Sequence, residues 1–155
     1  MKIRNLSICL LLLLCLFMTG CGEEKSKTAV TLDNFSNIVS GKGFTVTDNM
    51  NGYSDVDYIL NSKFAVYDDI EIEMVEYSNS DYANKVQEGH IESFDLLKST
   101  GAHVKKDKGS NYYSYSLVSN NRYMVSTRVD NTLIFCKVML DDKEIVEEIL
   151  TELGY

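Results

Sequence analysis

Apolar and polar positions along the chain change period several times, and each change marks an element. Leu32, Phe35, Ile38 and Val39 recur at helical spacing. Thr31 stands at the N-cap position, Asp33 lies in the first turn, and Gly41 and Gly43 supply a stop. "FTVTD" then alternates Phe44 and Val46 against Thr45 and Thr47, which predicts a strand. After a loop with the turn dipeptide Asn51-Gly52, two further strands meet at Asp68-Asp69. In the second of these, Ile70, Ile72 and Met74 face one way and Glu71, Glu73 and Val75 the other, as in an antiparallel sheet with one wet face. Tyr82, Val86, Ile91, Phe94 and Leu97 predict the apolar face of a long helix, with Ser78 and Asp81 as a capping box and Gly101 at its end.

Three closely spaced strands follow, "NYYSYSLVS", "RYMVSTRVD" and "TLIFCKVML", joined by turn residues around Asn120-Asn121 and Asp130-Asn131. A final helix carries Ile145, Ile149, Leu150 and Leu153, with Asp141 or Asp142 as its cap. The expected order is α-β-β-β-α-β-β-β-α. That is an α+β fold: one antiparallel sheet of about five to six strands with helices packed on one face. Residues 31–155 form its single domain.

The front of the chain follows another logic. Lys2 and Arg4 precede an uncharged run whose apolar core, Ile8 to Met18, is eleven residues long. At about 1.5 Å per residue it spans roughly half of a bilayer core of about 30 Å, which suits a signal peptide rather than a transmembrane helix. The run ends in Met18-Thr19-Gly20-Cys21. This apolar-small-small-Cys sequence resembles the lipobox of bacterial lipoproteins, with Met where Leu is commonest. The resemblance implies a diacylglyceryl group on Cys21 and cleavage just before it. Residues 1–20 are then a signal peptide, and 21–30 a lipidated Cys with a polar tether. The protein is expected at the cell membrane, lipid-anchored on its extracytoplasmic face. The passages "GKGFTVTD", "NTLIF" and "EIVEEILTELGY" resemble small acidic lipoproteins of Gram-positive bacteria. That likeness implies a location and a rough fold, and it transfers no site residue besides Cys21.

Charge narrows the partners. From Cys21 onward there are 13 basic and 23 acidic residues, a net charge of −10. Nucleic acid is excluded as a partner, because its phosphates need clustered Lys and Arg. Four cysteines form neither a CxxC pair nor a closing Cys/His set, so no metal centre and no cofactor is expected. With Cys21 lipidated, Cys136 lacks a disulfide partner, and its alternation with Ile134 and Val138 reads as a buried hydrophobe.

Catalytic sets are missing as well: no GxSxG, HExxH or phosphate loop is present, and the reading is non-enzymatic. An EF-hand loop registered on Gly52 fails because Tyr58 stands where a bidentate Glu is needed, and Asp55, Asp57 and the acidic run from Asp68 to Glu76 read as a solvated face. His90 reads as helix packing, His103 as an exposed loop residue, and Lys105, Lys106 and Lys108 as a solvated turn. The remaining candidate is aromatic. Tyr113 and Tyr115 share one face of a strand, and Tyr123 joins them in one register. Exposed, such a face would bind a peptide, a glycan or a partner protein; buried, it packs against the helices or across strands. The expected function is a membrane-anchored binding or protein-interaction module. The alternatives are an inhibitor or immunity protein of an envelope enzyme, and an envelope hydrolase working through Asp55, Asp57 or Glu73.

Overall fold

The structure is a computed structural model, and it describes residues 25–155. Cys21 and the signal-peptide segment lie outside the described residues. Ten elements follow in the order α-β-β-β-α-β-β-β-β-α: α1 (Leu32–Gly41), β1 (Thr45–Asp48), β2 (Ile59–Tyr67), β3 (Ile70–Tyr77), α2 (Ser80–Asp95), β4 (His103–Lys108), β5 (Tyr112–Ser119), β6 (Arg122–Val129), β7 (Thr132–Met139) and α3 (Lys143–Glu152). The strands form one antiparallel sheet in the order β1-β2-β3-β7-β6-β5-β4. Mixed helix and antiparallel sheet is the expected class, but the sheet has seven strands rather than five to six. The added strand, β4, reads "HVKKDK" and is exposed along its whole length, so no apolar alternation announces it. Its lysines suit an edge strand, where charge discourages pairing with a second sheet.

A second difference matters more for function. The helices cover both faces of the sheet, not one. Leu32, Phe35 and Val39 of α1 and Val146, Ile149 and Leu150 of α3 pack on Ile70, Ile72, Met74, Val125, Ile134, Cys136 and Val138. On the opposite face α2 sets Ala83 against Val75, Tyr77 and Leu133, and Phe94 against Tyr115, Leu117 and Met124. The physical reason is that the second face also carries a run of apolar side chains, Val75, Tyr77, Tyr115, Leu117, Met124, Leu133 and Phe135. Left open, the second face would expose a large apolar surface.

Local chemistry explains most boundaries. Thr31 Oγ1 accepts a hydrogen bond from the Asn34 amide at 3.2 Å, the expected cap of α1. The cap of α2 is Asn79 rather than Ser78: its Oδ1 accepts from the Tyr82 amide at 3.0 Å. Asp142 holds the cap position of α3, makes no side-chain cap bond, and follows a short 3-10 turn over Leu140–Asp142. Asn120 and Asn121 both have positive φ (51° and 57°), as a two-residue type I′ hairpin demands, and they fix the β5–β6 register.

From Lys25 onward, the expected tether is laid against the domain. The Ser110 amide donates to the Lys25 carbonyl at 2.9 Å. Asn111 grips Lys27 from both sides, its Oδ1 accepting from the Lys27 amide at 3.0 Å and its Nδ2 donating to the Lys27 carbonyl at 2.8 Å. Lys27 Nζ lies 4.6 Å above the Tyr112 ring, and Val30 packs on the main core. Gly109 makes this approach possible: a Cβ there would stand 2.0 Å from the Lys25 carbonyl oxygen.

Candidate functional site: a cleft beneath the long helix

Of the apolar stripe read for α2, Val86, Ile91 and Phe94 do pack towards the sheet, but its two ends do not. Tyr82 and Leu97 are exposed, and the inward positions are Ala83, Gln87 and Phe94, with His90 half-buried between them. The spacing is helical, but Gln87 and His90 carry polar groups into the interface, which hides it from a hydrophobic pattern. Gln87 Nε2 donates to the carbonyls of Tyr113 and Ser126, at 2.8 and 3.0 Å. His90 Nδ1 shares a hydrogen bond of 3.2 Å with the Ser126 hydroxyl, and its ring centroid lies 4.3 Å from that of Phe135.

Beside His90 the helix stands away from the sheet and leaves a cleft of about 240 Å³. Its walls are Val86 of α2, Ile59 of β2, Val75 and Tyr77 of β3, Leu133 and Phe135 of β7, and Tyr53, Val56 and Tyr58 of the loop after β1. The charged group on the wall is Glu73. Asn49 Nδ2, the Tyr53 hydroxyl and the Ser62 hydroxyl all donate to its Oε1, at 2.7, 2.7 and 2.9 Å. The Asn49 and Tyr53 bonds hold the loop to the sheet along one wall of the cleft, and the Ser62 bond links β2 to β3. Among the described residues nothing donates to Oε2, and no Lys or Arg pairs with Glu73.

The neighbouring titratable groups stay neutral. Burial, and then the Glu73 carboxylate, raise the Tyr53 hydroxyl above its ordinary value, and burial does the same for Tyr77. Burial lowers the His90 pKa, with the Glu73 charge opposing it. A His whose folded pKa lies below its unfolded value stabilises the fold fully above about pH 6.5 and loses that contribution as pH falls through the folded value. We therefore expect stability to fall as pH drops below about 6.5, less steeply in a His90→Gln variant. Denaturant midpoints across a pH series measure this, and equal slopes for the two proteins would refute it.

At the mouth, Tyr82, Tyr58 and Tyr77 stack in a ladder, with centroid spacings of 4.7 and 6.4 Å and rings within 14° of parallel. Tyr58 and Tyr82 are exposed, and Asp55 and Asp57 line the hollow beside them. Hydrolysis has no evident nucleophile here. Ser126, the hydroxyl bonded to His90, is completely buried, so that bond satisfies a buried group rather than activating one.

The expected tyrosine face is not assembled. In the β5–β6 register Tyr115 lies opposite Ser126 and Tyr123 opposite Val118, so Tyr123 falls on the other side of the sheet. Tyr115 is fully buried under α2, its hydroxyl bonded to Asp95. Tyr123 is buried against α3, and Tyr113 is half-buried on the α2 side. Cys136 is buried among β3, β6 and β7, and burial pushes its thiol up to about 12. His103 and the Lys105–Lys108 group lie on β4 rather than in a turn. Among the described residues no three His, Cys, Asp or Glu side chains converge to hold a metal, and no helix is long and apolar enough to cross a membrane. A second hollow of about 240 Å³, between α3 and the β4–β5 edge, mixes Lys27, Lys105, Asp107 and Glu147 with serines. Its opposed charges and polar lining make it a hydrated surface feature.

No family model matches the chain, and no curated protein is similar to it. One solved structure, described as a GTP binding regulator from Thermotoga maritima, aligns with a TM-score of 0.46 and 17% identity over 81% of this chain and 85% of that one. A likeness that slight supports no argument about fold or ligand.

Proposed function

We propose that the protein is an extracytoplasmic lipoprotein, held at the membrane by lipid on Cys21, and that its domain is a non-enzymatic binding module. The observation that carries the second part is the cleft under α2. It is concave and mostly apolar, with a few polar groups at fixed positions, as small-ligand sites are. Its volume lies below the roughly 300–1,000 Å³ common for such sites, so it suits a small molecule or the end of a larger one. The first part rests on the lipobox and on the charge and length of the run before it.

A set of cationic, neutral and anionic fragments, applied to the full chain in non-ionic detergent and followed by methyl NMR, tests the module. Binding should shift the methyl signals of Val75, Val86 and Leu133 and should be lost in a Val86→Trp variant that fills the cleft. Fragments that gather elsewhere, or that bind the variant equally well, would remove the cleft from consideration.

A further inference from the structure

The cleft has a charge preference as well as a shape. We propose that it takes the cationic end of its ligand, an ammonium or guanidinium group on an apolar stem; this rests on the cleft being the binding site. Glu73 is the charged side chain on its wall, and no Lys or Arg among the described residues neutralises it. The two donors that fasten the loop, Asn49 and Tyr53, and the Ser62 hydroxyl of β2 all converge on Oε1. Loop anchoring therefore needs one acceptor oxygen, and a glutamine would supply it. The second oxygen and the negative charge remain for something else.

The surroundings fit a cation and oppose an anion. His90 beside Glu73 is uncharged at neutral pH, so it adds no competing positive charge. Asp55 and Asp57 line an adjoining hollow that shares Val56 and Tyr58 with the cleft, and their charge has the sign of Glu73, which disfavours an anion nearby. Val75, Val86 and Leu133 are suited to methylenes. Within apolar walls, a carboxylate–cation contact is stronger than in open water.

The test is a charge series on one stem: n-butylammonium, n-butanol and n-butyrate, titrated against the full chain and read from the same three methyl groups. Butylammonium should bind at least about tenfold more tightly than butanol, and butyrate should leave the methyls unmoved. Glu73→Gln keeps the acceptor for the loop and removes the charge. It should cost butylammonium about tenfold in affinity and leave butanol unchanged. Butanol or butyrate binding as well as the ammonium would overturn the charge assignment while leaving the cleft as a site. So would an unchanged ammonium affinity in the glutamine variant. If no probe of any charge reaches these methyls, both the preference and the site fall. The probe series on the unaltered protein decides the matter even where the variant folds poorly.

Discussion

Changing Cys21 to alanine will abolish lipid labelling of the full-length protein and leave residues 1–20 attached. Both effects follow from the lipobox reading, in which the thiol is modified first and cleavage depends on that modification. The energetic consequence is large. Each buried methylene contributes about 0.8 kcal/mol, one chain binds marginally, and two chains hold a protein stably. The chain from Cys21 onward offers no comparable attraction through charge, since it carries a net charge of −10 (13 basic, 23 acidic residues). Metabolic labelling with a fatty-acid analogue, together with the mass of the product, reads the outcome. A Cys21→Ala protein that still takes up label and is trimmed normally would show the anchor to lie elsewhere.

Phe35→Ala should cost about 3–5 kcal/mol of stability, a large part of the roughly 5–15 kcal/mol that a domain possesses. Phe35 is completely buried on α1 and belongs to the core shared by α1, α3, β3, β6 and β7. Its removal opens a cavity that the surrounding strands, fixed by pairing on both sides, cannot readily close. Denaturant unfolding measures the loss, and Leu60→Ala, at a side chain 55% exposed, is the control, expected within about 0.5 kcal/mol of the parent. A cost below about 1 kcal/mol for Phe35→Ala would mean that α1 is not docked as described.

What the sequence revealed, and what it concealed, follows from where periodicity meets burial. α1, α3 and the strands from β5 to β7 announce themselves because their buried positions are apolar and regularly spaced. β4 has no buried position, so nothing in its composition separates it from a charged loop. The docked face of α2 is obscured for a different reason: Gln87 and His90 point inward, while Tyr82 and Leu97, which look like core, point outward. That reversal also concealed the cleft. Glu73 looked like one of several carboxylates on a wet strand face. Only the second helical layer, and the three donors that meet on one of its oxygens, set it apart from Glu71 and Glu76. The tyrosines misled because strand parity is known only when register is known, and the Asn120-Asn121 turn fixes that register in three dimensions.

The grip of Asn111 and Gly109 on the Lys25–Lys27 segment has a consequence for how a ligand arrives. With lipid on Cys21, only four residue steps separate the bilayer surface from Lys25, a reach of at most about 14 Å. Asn111 precedes β5 at the end of the sheet where β2 begins and β3 finishes, and Tyr58 and Tyr82 frame the cleft mouth at that same end. On the proposed lipidation of Cys21, the end of the domain that carries the cleft would therefore lie close to the membrane surface. A small solute, or a group carried on the membrane surface itself, would find the cleft by a search in two dimensions.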